Sequence, residues 1–322
     1  MGSIKKFEVI VVGELNVDLI LNKIAAFPEI GKEVLSETMT LTLGSSSAIF
    51  ASNLSSLGAK VAFLGKIGKD IFGKLVLESL ESKGVDTSLI IQSAEINTGA
   101  TVVLNFDQDR AMITHAGAME HLHIEDVLPD QPSKAKHLHF SSYFLQTGIK
   151  KDIVSLFHEA KNAGLTTSFD PQWDPWEKWD LDLEKILPHV DLFLPNEKEL
   201  CLLTGMDTAP EAIAKISGYA NTVIVKQGNK GSLCFHKGEL HKEPAFLNEQ
   251  VVDSIGAGDS FNAGFVYKFI QGAPLKECQR FGNLTGAIST TAAGGTTAFS
   301  DKQNILKNAK ERFGFEEFKY EG

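Results

Sequence analysis

The sequence predicts an α/β fold, in which a mainly parallel sheet lies between layers of helices. Short apolar runs rich in β-branched residues alternate with amphipathic runs over most of the 322 residues. Several helical runs end at a glycine, as at Gly58, Gly84 and Gly164. Hydrophobic residues make up 43% of the chain, enough for a large core. Strands that alternate with helices form parallel sheets, because each helix returns the chain to the same edge.

The predicted elements follow one another in a regular order. Strands are predicted at 7–13, 61–65, 137–142, 165–170, 191–195 and 222–228 with a hairpin over 232–246, and helices at 47–57, 71–83, 150–163, 197–204, 258–270 and 274–291. Residues 15–43 and 97–117 lack helical periodicity, and the second stretch predicts two strands around a turn at 107–109. We interpret both as a small β lid, the alternative being long loops. The large domain would then comprise 1–14, 44–96 and 118–322.

Charge and cysteine content argue against several classes of function. The formal net charge of −10 disfavours nucleic acid and anionic membrane as partners. The three cysteines, Cys201, Cys234 and Cys278, form no CxxC pair, so they predict neither zinc nor redox chemistry. Their sparse use fits a reducing compartment. The N-terminal apolar run is too short for a signal peptide or a membrane span, so we expect a cytoplasmic protein.

The clearest chemical signal lies in residues 251–265. A β-like run ends at Asp253, the turn Gly256-Ala257-Gly258 follows, and Asp259 begins an amphipathic helix. Glycines let a ligand approach the backbone, and the free N–H groups at a helix start attract an anion. A carboxylate in the same turn can accept a proton from a hydroxyl beside that anion, as phosphoryl transfer requires. The alternative is that Asp259 only caps the helix.

This segment resembles the C-terminal signature D-[ST]-x-G-A-G-D-[ST]-F of the ribokinase-like (PfkB) family of carbohydrate kinases. Residues 43–73 resemble its N-terminal signature, and three shorter motifs occur in the family's order: N-x-D at Asn16 and Asp18, N-x-x-E at Asn196 and Glu199, and [TK]-x-G-x-x-G at Lys226, Gly228 and Gly231. The resemblance covers about residues 9–300. It implies a three-layer α/β/α ribokinase-like fold with a small β-sheet lid, and phosphotransfer from ATP to a sugar hydroxyl.

The resemblance also implies a role for each motif. Asp259 would be the general base, and the backbone of Gly256, Ala257 and Gly258 would hold the developing charge. Mg²⁺ would accompany ATP, the co-substrate. The remaining assignments are Asn16, Asp18, Gly44 and Ser45 to the sugar, Asn196, Lys226, Gly228, Gly231 and Asn283 to the nucleotide, Glu199 to Mg²⁺ through water, and Asp253 to a monovalent cation such as K⁺.

Structural alternatives exist for these residues. Asp18 could form a turn at the end of a strand, and Asn196 with Glu199 has the spacing of a helix-capping box. Lys226 could be a solvated charge in a β-turn, and Asn283 an ordinary exposed position on a helix.

Some positions depart from the family pattern. Ser45 follows Gly44 where the family usually has a second glycine, Ile49 stands where an asparagine is usual, and Ser141 or Ser142 replaces a glutamate found in some relatives. Asp174 stands where relatives that act on sugar acids have an arginine. A carboxylate there would repel an acidic substrate, so we predict a neutral sugar.

Other functions remain to be weighed against a sugar kinase. A nucleoside kinase on the same fold is one, and a non-catalytic regulator that binds sugar or nucleotide is another. A dehydrogenase is disfavoured because no G-x-G-x-x-G follows the first strand. We also expect a homodimer formed through the lid. The specific sugar, the phosphorylated hydroxyl, the cation dependence and the effect of Ile49 stay open.

Overall fold

A computed structural model describes residues 6–106, 109–127 and 134–316, and for Asp109 and Arg110 it describes the backbone only. Residues 107 and 108 of the predicted turn lie outside the described residues. The chain forms one large sheet covered by helices on both faces, a separate small sheet, and a two-stranded ribbon. The predicted α/β class with a mainly parallel sheet and a small β-sheet lid is confirmed.

The large sheet has eight strands, of which six are joined by parallel pairing. In spatial order these are β14 (Glu239–Glu243), β13 (Ser232–His236), β12 (Thr222–Lys226), β11 (Leu192–Phe193), β10 (Thr166–Asp170), β9 (His137–Ser141), β1 (Val9–Val12) and β4 (Val61–Leu64). In this sheet only β13 runs in the opposite direction, pairing antiparallel with both β12 and β14. Because the parallel strands end at one edge, the residues that follow them are brought together there.

The helices cover both faces of this sheet, as buried strands of a parallel sheet require. They are α1 (Ser46–Ser56), α2 (Ile71–Ser82), α3 (Ile124–Val127), α4 (Thr147–Lys150), α5 (Ile153–Asn162), α6 (Leu183–Ile186), α7 (Glu197–Thr204), α8 (Ala209–Ile216), α9 (Ala257–Ile270), α10 (Leu275–Ser289) and α11 (Lys302–Phe313). Helices α1, α9 and α10 pack on one face through Phe50, Phe265 and Phe281, and helices α5 and α8 pack on the other through Phe157 and Ile216.

The small sheet, called the lid below, has four strands in the order β3 (Ser36–Leu43), β2 (Asn16–Ile24), β7 (Gly99–Phe106) and β8 (Asp109–His115). Strands β2 and β7 are parallel, and the outer pairs are antiparallel. The alternative that 15–43 and 97–117 are long loops is therefore wrong. One face of the lid borders a cleft of about 690 Å³, whose other wall includes Asp253, Ser254 and Gly294.

Several elements differ from the prediction. The helix predicted at 150–163 is interrupted at 151–152, so that α4 and α5 are separate. Helices α8 and α11 and the parallel ribbon of β5 (Lys66–Gly68) and β6 (Ile91–Ser93) were not predicted. None of the helices in the described part of the chain has the length and apolar character needed to cross a membrane.

Candidate active site

The candidate active site lies where the carboxyl ends of β10 and β12 meet the first turn of α9. Strand β10 ends at Asp170, β12 ends at Lys226, and α9 carries Asp259 in its first turn. The three residues are far apart in sequence, and the parallel sheet brings them to one edge. Asp170 is fully buried and Asp259 is 7% exposed.

Hydrogen bonds join these groups into one network. Gln172 Nε2 donates to Asp259 Oδ1 at 3.0 Å and to Asp170 Oδ2 at 3.0 Å. Lys226 Nζ forms an ion pair with Asp170 Oδ2 at 2.5 Å. Asn262 Nδ2, one turn beyond Asp259 on α9, donates to the same Asp170 oxygen at 2.5 Å. Asp170 therefore fixes the donors around Asp259, while the second oxygen of Asp259 has no contact in this network.

Burial makes Asp259 a much weaker acid than an ordinary aspartic acid. Loss of solvation and the nearby Asp170 carboxylate raise its pKa to about 8, while Lys226 acts in the opposite direction. Burial alone would lower the pKa of Lys226, but Asp170 and Glu199 raise it above its ordinary value, so Lys226 stays charged. A carboxyl group whose pKa lies near neutral pH is suited to general base catalysis.

The glycine turn at the start of α9 is closely packed. Gly256 has a φ of 71°, and a side chain there would meet the Gly295 Cα at 2.7 Å and Ile49 Cγ2 at 3.0 Å. Ile49, which stands at the usual asparagine position, is thus buried against this turn. A Cβ on Gly258 would lie 3.6 Å from Lys226 Nζ, so the ammonium group lies beside the turn. The Ala257 N–H already donates to the Ser254 carbonyl at 3.3 Å.

The predicted sugar residues lie together at the base of the lid. Asn16 Nδ2 donates to Asp18 Oδ1 at 3.1 Å and to Thr101 Oγ1 at 3.0 Å, which links β2 to β7. A side chain on Gly44 would collide with the Asp18 carboxylate, which explains the glycine. Ser45 caps α1 by accepting from the Ala48 N–H at 2.9 Å.

The contacts of two predicted nucleotide residues, Lys226 and Asn283, rule out the structural alternatives that the sequence left open for them. The Lys226 side chain is 11% exposed and pairs with Asp170, so it is not a solvated charge. Asn283 is 8% exposed and donates to the carbonyls of Glu243 and Pro244, so it is not an exposed helix position. Gly231 has a φ of 93° and no space for a side chain beside Pro244.

Asn196 and Glu199 form the capping box that their spacing predicts. Asn196 Oδ1 accepts from the Glu199 N–H at 2.8 Å, and Glu199 Oε2 accepts from the Asn196 N–H at 2.9 Å. Glu199 is buried at the start of α7, and burial together with Asp170 raises its pKa to about 7. The second carboxylate oxygen has no contact in this box, so capping is compatible with a further role for Glu199.

Asp253 braces two turns. Its Oδ1 accepts from the Ile255 N–H and its Oδ2 from the Gly294 N–H, both at 2.9 Å. The predicted K⁺ site at Asp253 gains no support from these contacts. The described residues contain no group of three or more His, Cys, Asp or Glu side chains arranged to hold a metal ion. The histidines at 137 and 139 therefore belong to no such group.

The expectation that the Asp174 carboxylate faces the substrate is wrong. Asp174 is 1% exposed, and its oxygens accept backbone N–H groups from Trp176 at 2.9 Å, Lys178 at 2.8 Å and Trp179 at 2.7 Å. The Asp174 carboxylate stabilises the loop after β10, and both of its oxygens accept hydrogen bonds from the backbone of that loop. A carboxylate followed by a short polar loop is commonly used in this way.

Sequence reasoning gave no site role to four residues at this edge. Gln172 holds Asp259, Asp170 and Asn262 extend the same network, and Glu14 lies buried beneath the start of α1. The sequence did contain a signal for Glu14, because it directly follows the strand predicted at 7–13 and lies two residues before Asn16. Among the described non-glycine residues with positive φ, Ser45 at 69°, Ser142 at 58° and Gln172 at 60° all lie here. Such strain is concentrated at functional sites.

Comparisons with known proteins find matches over most of this chain. Residues 6–302 match the model of a family described as pfkB family carbohydrate kinase. An uncharacterized sugar kinase of Archaeoglobus fulgidus is 32% identical over 240 residues, 73% of this chain and 92% of the relative. The 2-dehydro-3-deoxygluconokinase of Bacillus subtilis is 28% identical over 285 residues, 83% of this chain and 86% of the relative. The structure of Arabidopsis thaliana ribokinase with ribose and ATP has a TM-score of 0.82 at 26% identity, covering 94% of this chain and 98% of that one.

Proposed function

Because this chain belongs to the pfkB family of carbohydrate kinases, we propose that it transfers the γ-phosphoryl group of ATP to a hydroxyl group of a small neutral sugar. The observation that carries the proposal is the buried Asp259 at the start of α9, held by Gln172 next to Lys226 and the glycine turn. This arrangement brings a base, a cation and a proposed backbone anion site together around the first turn of α9, and these are the components of phosphoryl transfer.

In the proposed reaction Asp259 accepts the proton of the acceptor hydroxyl as its oxygen attacks the γ-phosphorus. The bond between that phosphorus and the β,γ-bridging oxygen breaks, and ADP leaves with the electron pair. Gln172 fixes one oxygen of Asp259, which directs the other to the hydroxyl. Lys226 and the N–H groups at the start of α9 stabilise the negative charge on the transferred group.

Mg²⁺ is proposed as the metal that accompanies ATP, since it neutralises phosphate charge during transfer and keeps several of its waters. Glu199 suits a water-mediated contact because one of its oxygens remains outside the capping box. Asn196, Gly228, Gly231 and Asn283 are proposed for the nucleotide, and Asn16, Asp18, Gly44 and Ser45 for the sugar. The four-stranded lid is proposed to exclude water from the reaction. Its proposed limits are those that the sequence predicts, 15–43 and 97–117.

A neutral acceptor is supported by the charges around Asp259 and not by Asp174. Asp170, Glu14 and Glu199 all add negative potential at Asp259, against the positive charge of Lys226. Asp18 adds a further carboxylate at the proposed sugar side. An acidic acceptor would have to approach this surplus of negative charge, which is unfavourable at short range.

The outer face of the lid is proposed to pair with the same face of a second copy. Met39, Leu41 and Ile113 share this face and are 66%, 41% and 68% exposed. An apolar sheet face of this kind is typical of an interface. Light scattering should give the mass of a dimer for the wild type and of a monomer for Leu41→Asp; a monomeric wild type would contradict the pairing.

The experiment that tests the kinase function is an ADP-release screen with ATP and Mg²⁺. The panel contains neutral ketoses, aldoses, ribosides and 2-keto-3-deoxygluconate, each against a blank without acceptor. We expect ADP formation that depends on a neutral sugar and is absent from the blank. Preference for ribosides would favour the nucleoside kinase, and binding of sugar and ATP without any ADP would favour the non-catalytic regulator.

A further inference from the structure

Glu14 is a buried carboxylate that the proposed reaction does not use. It follows β1 and is 2% exposed. Burial raises its pKa, and hydrogen bonds from Ser47 and Ser142 oppose that shift. An ionisable group in such a position is costly to keep unless its contacts serve a purpose.

The hydrogen bonds of the Glu14 carboxylate come from Ser45 and Ser47 at the start of α1, and Ser47 connects it to Ser141 at the end of β9. Ser45 Oγ lies 3.0 Å from Glu14 Oε1 and 2.7 Å from the Glu14 carbonyl oxygen. The Ser47 N–H donates to Oε1 at 3.2 Å, and the Ser47 hydroxyl donates to Oε2. Behind it, the hydroxyls of Ser47 and Ser141 lie 2.6 Å apart. Protein donors therefore occupy both oxygens of Glu14, which argues against direct contact with a ligand.

Two of the residues around Glu14 have strained backbones. Ser45 and Ser142 are not glycines, yet they have φ values of 69° and 58°. Such conformations persist only where the surrounding contacts hold them. Ser45 adjoins Gly44, which packs against Asp18, and the Ser142 N–H donates to the carbonyl of Asp170 at 3.2 Å. Glu14 thus braces directly the turn beside the proposed sugar residues, and through Ser47 and Ser141 it connects to the turn beside the Asp170 network.

We propose that Glu14 is a positioning residue for the acceptor: its carboxylate holds the turns at Ser45 and Ser142 in the conformations that form the acceptor pocket. The inference rests on the proposed function, because the pocket is that of the kinase reaction. The nucleotide residues Asn196, Gly228 and Gly231 have no contact with Glu14, so the effect of removing it should be confined to the acceptor side.

The charge of Glu14 also acts on the base. Asp259 is faced by Asp170 from β10, Lys226 from β12, Glu199 from α7 and Glu14 from the end of β1. Replacing Glu14 with a neutral residue removes one negative charge from this group. The ionised form of Asp259 then becomes easier to form, and the acid limb of kcat/KM moves to lower pH. A purely structural residue would not move this limb.

The kinetic test compares Glu14→Gln with the wild type, using the best acceptor from the screen. We expect the KM for the acceptor to rise about tenfold or more, with the KM for ATP within about twofold. We also expect the acid limb to move to lower pH. The matched control is Asp191→Asn at the opposite edge of the sheet, where the carboxylate accepts from Lys161 and Thr167. That variant should change neither quantity. Equal rises in both KM values, or an unmoved acid limb, would overturn the proposal.

A crystal structure of Glu14→Ala provides a second test of the proposal, and this test does not depend on activity. The positioning role requires Ser45 and Ser142 to leave their left-handed conformations when the carboxylate is removed. If both keep a positive φ, the proposal is wrong whether or not the protein is a kinase. A wild type that releases no ADP with any acceptor would instead reject the proposed function, while the crystal structure would still decide the role of Glu14.

Discussion

Replacing Asp259 with asparagine should abolish most activity and yet stabilise the protein in a pH-dependent way. The side chain is nearly isosteric and keeps an oxygen to accept from Gln172. Turnover should fall by about 10²–10⁴-fold, the usual contribution of a general base. The folded structure should be retained, because no other contact of the network depends on the ionised form of Asp259.

The stability effect follows from the raised pKa of Asp259, about 8 against an ordinary value of 3.8. The folded state keeps this proton up to about pH 8, whereas the unfolded chain releases it near pH 4. The contribution of this group to stability is therefore full below pH 4 and is lost as the pH rises towards 8. At about 1.36 kcal/mol per pH unit, the cost is up to about 4 kcal/mol at pH 7 and about 2 kcal/mol at pH 5.

Urea unfolding of both proteins at pH 5 and pH 7 measures this cost. The stability of Asp259→Asn should exceed that of the wild type by a margin that grows by about 2–3 kcal/mol between the two pH values. Asp174→Asn is the matched control, because its buried carboxylate accepts three backbone N–H groups and should stabilise the fold. That variant should be less stable and fully active. A pH-independent loss of stability in Asp259→Asn would show that Asp259 is ionised in the native state and would refute the reasoning.

Three further predictions concern the same site. The acid limb of kcat/KM for the wild type should have an apparent pKa of about 8, the value for Asp259, and a limb below pH 5 would contradict this. Lys226→Met should lower kcat by at least tenfold while circular dichroism stays unchanged; an unchanged kcat would remove Lys226 from the reaction. Asp18→Ala should weaken sugar binding by about 1–3 kcal/mol in calorimetry and leave ATP binding unchanged, whereas equal losses would indicate a structural role.

The sequence predicted the fold class, the family and most element limits, because those depend on local patterns. Glycine, capping and periodicity signals mark α2 and α7 within a residue. Helix α11 escaped prediction because it buries only Ile305 and Ala309 on an otherwise polar run, so its periodic signal is weak. Helix α8 did carry a helical signal, with a Thr208 cap, Pro210 in its first turn and buried residues at Ala209, Ala212, Ile213 and Ile216, and the prediction missed it.

The network around Asp259 could not be predicted in the same way, because its contacts join distant parts of the chain. Lys226 and Asp170 are 56 residues apart, and their pairing depends on β10 and β12 lying on either side of β11. The prediction for Asp174 was wrong for the opposite reason, because its contacts are local. Its carboxylate accepts backbone N–H groups of the loop that carries it, and the position of Asp174 in the motif does not reveal this.

The buried serines around Glu14, which are Ser45, Ser47 and Ser141, suggest why this chain can differ from its family at the acceptor side and retain the reaction. Where the resemblance implies a second glycine and a pocket glutamate, this chain has Ser45 and Ser141 or Ser142, and its carboxylate comes from Glu14, just after the neighbouring strand β1. Strands β1 and β9 are paired, Val12 with Phe140, so a group that follows either strand reaches the same place. The negative charge is thus kept near Asp259 while the hydroxyl groups that surround it change. Because the Gly256–Asp259 turn and Lys226 are untouched by this exchange, acceptor identity can change without altering phosphoryl transfer.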